Sequence, residues 1–204
     1  MKLVKAYVEG LKEAYYENGG ETQWDNFDKI AHGVSKEEIE KLRTLYPDIP
    51  ESLVQLLEMV DGTYWREYNG EKVGFYFLGS DIEEYPYYLL SAEQMSQKKD
   101  LPWLNDYINR KYEDEVEIDE EITDNADELC WLHFSDCCNN GGTSKLFIDF
   151  SPSPKGIKGQ IVRYLHDPDK ITVIADSFDE YLQMLIDNEY DFITEDTIDE
   201  WTEN

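Results

Sequence analysis

A chain of 204 residues with 41% hydrophobic and 14% aromatic content carries enough apolar surface for a packed core, so wholesale disorder is excluded. No run approaches the roughly 18 apolar residues of a membrane span. The 46 acidic against 18 basic residues give a formal net charge of -28, which repels nucleic-acid phosphates and anionic membranes and attracts a basic protein.

The N-terminus reads MKLVKAYVEGLKEAYY. Lys5, Glu9 and Lys12 interrupt every apolar stretch, which excludes a signal-peptide core and predicts a cytoplasmic chain. Leu3, Val4, Tyr7, Val8, Leu11, Ala14 and Tyr15 recur at helical spacing until Asn18-Gly19-Gly20. A short helical stretch around Trp24, Phe27 and Ile30 stops at Gly33. Ser35 and Glu38 then form a capping box, with Val34 and Ile39 at the staple positions, and Pro47 ends that helix. Pro50 opens the next, whose stripe Leu53, Leu56, Leu57, Val60 runs into Asp61-Gly62.

Beyond Gly62 the period becomes strand-like. Tyr64–Tyr68, Asn69-Gly70 and Val73–Leu78 read as a hairpin, followed by an extended Tyr87–Leu90. Ser91 with Gln94 repeats the capping box. Leu101–Tyr112 reads as helix, and Glu113–Glu128 holds ten carboxylates and no basic residue, which predicts a solvated or partly disordered loop. Strands return at Cys130–Phe134, Lys145–Phe150, Gln160–Leu165 and Ile171–Ala175, joined by turns such as Gly141-Gly142. Ser177 with Glu180 opens a last clear helix carrying Phe178, Tyr181, Leu182, Leu185 and Ile186. The acidic tail Asp187–Asn204, with Tyr190, Phe192, Ile193, Ile198 and Trp201 interspersed, predicts a short docking helix from Thr197. The fold class is therefore α+β: one mainly antiparallel twisted sheet of about six strands, N-terminal helices before it and a closing helix after it. Short turns between strands argue for a meander and against βαβ crossovers.

The search for reactive chemistry yields little. His133, Asp136, Cys137 and Cys138 lie within six positions and offer a thiol, a base and an orienting carboxylate, the ingredients of a cysteine hydrolase using Cys137 and His133. The alternative is a surface histidine beside small apolar thiols. Three cysteines, two of them adjacent, are ill placed for an ordinary disulfide and fit a reducing compartment. Zinc would need a fourth ligand and better spacing. His32 suits a helix end, and the His166-Asp167-Pro168-Asp169 turn offers carboxylates to a cation but matches no EF-hand loop. No phosphate-cradling loop, dinucleotide fingerprint or serine elbow is present. The expectation is a non-enzyme with no cofactor and no metal.

Two groups of motifs carry a resemblance. The first is Leu45-Tyr-Pro-Asp-Ile-Pro-Glu-Ser-Leu-Val-Gln-Leu-Leu-Glu-Met-Val-Asp-Gly62. The second runs through Trp131-Leu-His-Phe-Ser, Gly141-Gly-Thr-Ser-Lys-Leu-Phe-Ile-Asp-Phe150, Gly159-Gln-Ile-Val-Arg and Ala175-Asp-Ser-Phe-Asp-Glu-Tyr-Leu182. In order and spacing these resemble the SUKH superfamily, which includes a yeast cell-wall assembly regulator and many bacterial immunity proteins. The resemblance spans residues 36–188, interrupted at 96–128, within one domain of residues 1–204. Residues 1–34 form an N-terminal helical extension and 189–204 an acidic tail. The extension and the insertion depart from the compact family core, and Thr143-Ser144 replaces a usual glycine.

The resemblance implies a sheet wrapped by helices, no catalytic centre and, for bacterial members, neutralisation of a polymorphic toxin by direct binding. Joined to the charge, it predicts a cytoplasmic immunity protein whose partner is a cognate basic toxin, of the nuclease type, with no nucleic acid or membrane bound. The alternatives are a regulatory interaction module with endogenous partners and the cysteine hydrolase; the acidity could also serve solubility or a saline habitat. Candidate contacts are Asp81, Glu83, Glu84, Tyr85 and Tyr87, around a sheet edge. The acidic segment beginning Glu113, Asp114, Glu115, Glu117 is a second candidate.

Overall fold

The computed structural model describes residues 1–68, 70–97, 102–112, 115–138 and 143–199. Four helices come first. α1 (Lys2–Glu17) buries Val4, Tyr7, Leu11, Ala14 and Tyr15, spaced at three and four as one helical face requires. α2 (Glu21–Ile30) adds Trp24 and Phe27. α3 (Lys36–Leu45) begins at the full Ser35/Glu38 capping box. α4 (Glu51–Met59) follows Pro50 and buries Leu53, Val54, Leu56 and Leu57. Asp61 and Gly62 then turn the chain toward the sheet.

β1 (Tyr64–Tyr68) and β2 (Glu71–Gly74) pair as a separate antiparallel hairpin, with Asn69 outside the described residues. The strand expected to reach Leu78 stops at Gly74, because the chain then changes backbone partners: Phe75 N donates to Thr63 O (2.9 Å) and Phe77 N to Tyr87 O (2.9 Å), and Phe75, Tyr76, Phe77 and Leu78 are all buried. Phe75 stacks on Phe27 at 4.2 Å between ring centroids. The segment also lies along β3 (Tyr87–Leu89): Tyr87 N donates to Leu78 O (2.8 Å), Leu78 N to Tyr87 O (3.0 Å), and Thr63 N to Leu89 O (2.7 Å).

α5 (Ala92–Ser96) starts at the expected Ser91/Gln94 box. α6 (Pro102–Ile108) is shorter than its expectation, and Leu101 lies outside the described residues. Next come the two-residue β4 (Glu117–Ile118) and a 3-10 turn at Ala126–Glu128. β5 (Trp131–Cys137), β6 (Ser144–Asp149), β7 (Gln160–Leu165) and β8 (Lys170–Ala175) follow; Gly141-Gly142 lies outside the described residues. α7 (Phe178–Asp187) opens on Ser177, whose hydroxyl accepts from Glu180 N; the reciprocal half of the expected box is not formed. α8 (Glu195–Asp199) begins two residues before Thr197, where Thr194 Oγ1 accepts from Thr197 N at 3.2 Å. Trp201 lies outside the described residues.

The six-stranded sheet has the order β3-β5-β6-β7-β8-β4, antiparallel throughout except for the parallel β4–β8 pair. Leu132, Phe134, Leu146, Ile148 and Ile161 face the large core shared with α1, α4 and α7. Trp131, Phe147, Val162, Tyr164 and Ile171 face a second core filled by Leu104, Ile108 and Ile122. Residues 115–128, expected as a solvated loop, therefore form part of this second layer. Val116 is buried and Ile118 and Ile122 turn toward the second core, while Glu117 and Glu120 stand exposed and the half-buried Asp119 accepts from Val173 N.

Candidate functional site

The Cys137/His133 pair does not assemble. A bulge between His133 and Ser135 shifts the register of β5. His133 then lies against Phe147 of the second core, ring centroids 5.0 Å apart, while Cys137 belongs to the helix-side core on the opposite face. His133 Nε2 is 3.1 Å from Ser135 O and 3.4 Å from Asp136 Oδ1, and Lys145 Nζ donates to the same carboxylate. Burial pushes the Asp136 carboxyl up, but bonds and charge from His133 and Lys145 outweigh it and hold the carboxyl well below the usual range. Cys137 Sγ contacts Thr143 Oγ1 at 3.1 Å. These are packing and ion-pair roles, with His133 and Cys137 on opposite faces of the sheet.

The His166–Asp169 turn is likewise used internally. Asp169 accepts from Tyr107 OH (2.5 Å), Tyr164 OH (3.2 Å) and His166 Nδ1 (2.5 Å), tying α6 to the β7–β8 connection. Hydrogen bonding to Asp169 raises the His166 imidazole above its ordinary value. Among the described residues no group of His, Cys, Asp and Glu could hold a metal ion, and no helix is long and apolar enough to cross a membrane.

The loop from Asp81 to Tyr87 resolves into three kinds of residue. Asp81 is the bidentate partner of Arg163, Oδ1 to Nε at 2.5 Å and Oδ2 to Nη2 at 2.9 Å; it anchors the loop on β7. Tyr87 is fully buried with its hydroxyl 2.6 Å from Ser144 Oγ, and so forms the wall behind the loop instead of its surface. Tyr85 is half-buried, its hydroxyl 2.9 Å from Thr143 Oγ1 and, chiefly through burial, pushed up to about 12. Glu83 and Glu84 stand exposed, Glu84 at a left-handed φ of 56°.

A residue that sequence reasoning missed joins them. Asp191 follows the turn after α7, where Glu189 and Tyr190 also adopt positive φ (55° and 57°). Burial, and then the nearby charges of Glu83 and Glu84, push the Asp191 carboxyl up. Asp191 thus lies within electrostatic reach of Glu83 and Glu84, which precede it in the chain by more than a hundred residues. The tail's acidity was legible; its position beside Glu83 was not, because only the length and direction of α7 set it.

In the insertion Glu113 and Asp114 lie outside the described residues. Glu115 is exposed, and Glu117 pairs with Lys170 (Oε1 to Nζ 2.9 Å), which pins β4 to β8. Elsewhere Trp65 stands 53% exposed at φ 51°, a backbone region rarely taken by a bulky residue.

Comparison with curated proteins gives no match. The model of the SMI1 / KNR4 family (SUKH-1), a family of immunity and regulatory domains that are generally not enzymes, matches residues 33–184. That span starts just before α3 and ends within α7, taking in the helix ending in Asp61-Gly62, the six-stranded sheet and the segment packed on its far face. It is well over half of the chain, and this protein belongs to the SMI1 / KNR4 family (SUKH-1).

Proposed function

We propose that this chain is a cytoplasmic immunity protein that binds and neutralises a protein toxin, and that the toxin is a basic, nuclease-type domain. Membership of a family of immunity and regulatory domains supports a protein partner. The observation that carries the finer reading is that Glu83 and Glu84 stand exposed on a loop that Asp81 anchors to Arg163, where a cationic partner meets complementary charge. Tyr85 beside them offers a rigid aromatic contact, and the net charge of -28 speeds the encounter. Asp81 and Tyr87 hold the loop from behind, and Glu115 and Glu117 belong to a second acidic region on the insertion.

The test is capture of partners from the source cells on the tagged protein at low and moderate salt, with wild type and a Glu83→Lys/Glu84→Lys variant. A single basic protein, toxic when expressed alone and lost from the variant, supports the reading. Capture of the same protein by both forms removes this patch as the contact. Partners that are neither basic nor toxic replace the immunity role with that of a regulatory module.

A further inference from the structure

The opposite end of the sheet carries a second feature that the acidic loop does not use. Segment 118–128 of the insertion and the β6–β7 connection at 152–155 form the walls of an open groove of about 920 Å3. Ser153 stitches the walls together, donating from its N to Glu121 O (2.9 Å) and from its hydroxyl to Glu120 O (2.6 Å). Pro152 and Pro154 give the groove its accessible apolar surface over Ile118 and the buried Ile122, and exposed Glu120, Asp124 and Glu128 edge it. A smaller depression of about 290 Å3 adjoins it across Lys155, with Asp176 and the half-exposed Ile157.

The two basic residues that line the groove differ in what they do. Arg110 donates to the carbonyls of Ile108 (3.1 Å) and Ile122 (3.2 Å) and so is spent on the backbone. Lys155 reaches from one wall to the other and pairs its Nζ with the Glu120 carboxylate. Both side chains of that pair are more than half exposed, at 62% and 66%, so water screens the pair and it opens at little cost.

We propose that this groove docks an extended segment of a protein partner in which Lys or Arg side chains alternate with apolar ones, and that Lys155 holds the place of a partner cation at Glu120. The apolar lining supplies burial for alternate side chains, and the carboxylate rim supplies the charge complement. The volume lies in the range of roughly 300–1,000 Å3 typical of ligand clefts. Phosphate-bearing ligands are repelled by the same rim. The chain's own terminus, Glu200-Trp-Thr-Glu-Asn204, brings no cation, and a second copy of a chain with net charge -28 is repelled. The proposal rests on the reading of the protein as a binder of a basic partner and adds where a segment of that partner lies.

The test is fluorescence anisotropy of the full chain with a labelled peptide of alternating Arg and Leu at moderate salt. Four variants are compared with wild type. Glu120→Lys/Glu128→Lys is expected to weaken binding by about tenfold or more, and Glu17→Lys/Asp28→Lys, with the same change in net charge at exposed positions of α1 and α2, by less than about twofold. Lys155→Ala is expected to tighten binding by about threefold relative to Lys158→Ala, which removes the same charge outside the groove. Equal losses in the two double variants, or equal affinities in the two lysine variants, overturn the proposal by showing diffuse attraction only. The lysine comparison decides the matter alone if the groove double variant fails to fold by circular dichroism. Failure here leaves the capture of a toxic partner untouched, and failure of that capture leaves peptide binding in the groove untouched, so the two readings fall separately.

Discussion

At the scale of single residues, the Asp61-Gly62 pair shows how much and how little a motif reveals. Its role as a helix stop was legible from Gly alone. Its second role was not: Asp61 Oδ1 accepts from Ala92 N at 2.9 Å and so caps α5, 31 residues on. Gly62 sits at φ 83°, and an added Cβ would meet Ser91 N at 2.5 Å and its Cα at 2.7 Å. Gly62→Ala is therefore strained twice over and should cost about 2 kcal/mol or more, read as a lower urea midpoint at unchanged slope. Asp136 makes a prediction in pH. Its folded carboxyl is held below its unfolded value, so its contribution is fully present above the unfolded pKa of roughly 3.9 and fades as pH falls below it. The stability gap between wild type and Asp136→Asn should be widest near neutrality and narrow in acid. A gap that is constant with pH would mean the ion pair with Lys145 and His133 contributes nothing to the fold.

Among the elements, those marked by local chemistry were read closely. Ser35/Glu38 and Ser91/Gln94 place helix starts to the residue because both halves of the box are local hydrogen bonds. The strand expected over Val73–Leu78 ends at Gly74 because the chain there exchanges β1 for Thr63 and Tyr87 as backbone partners, a long-range choice that composition does not encode. The insertion was misread for a different reason. Its carboxylate count hid apolar positions, the buried Val116 and then Ile118 and Ile122, the last two of which pack on the far side of the sheet. If that layer is integral, Ile122→Ala should cost roughly 2–4 kcal/mol, whereas Glu120→Ala, on the surface, should stay within about 0.5 kcal/mol. Equal and small losses in thermal denaturation would return the segment to the status of a loose loop.

For the whole molecule, the fold class followed from the order of periods along the chain, but the sheet order did not. β4 lies between α6 and β5 in sequence yet pairs with β8 at the far edge, a long-range choice that no local signal encodes. The charge acts at this scale too. An excess of 28 negative charges destabilises the compact state by self-repulsion, which salt screens over a Debye length of roughly 10 Å at 0.1 M. Raising ionic strength should therefore raise the melting temperature of the free protein while slowing its association with a basic partner. A melting temperature indifferent to salt would show that the ion pairs of Asp81, Asp136 and Glu117 already neutralise the field where it matters.

One flank of the six-stranded sheet is occupied by Thr63 and Leu78, which take the outward groups of β3. The other is reduced to two residues of β4, after which the Asp119 carboxylate accepts from Val173 N at 2.8 Å. Along this sheet, among the described residues, a partner or another copy finds almost no backbone ladder to extend, so growth by strand addition at its edges is discouraged. A partner that meets this sheet reads it with side chains. Those can be exchanged one at a time over an unchanged scaffold, which lets specificity drift from one partner to the next without the fold having to be re-evolved.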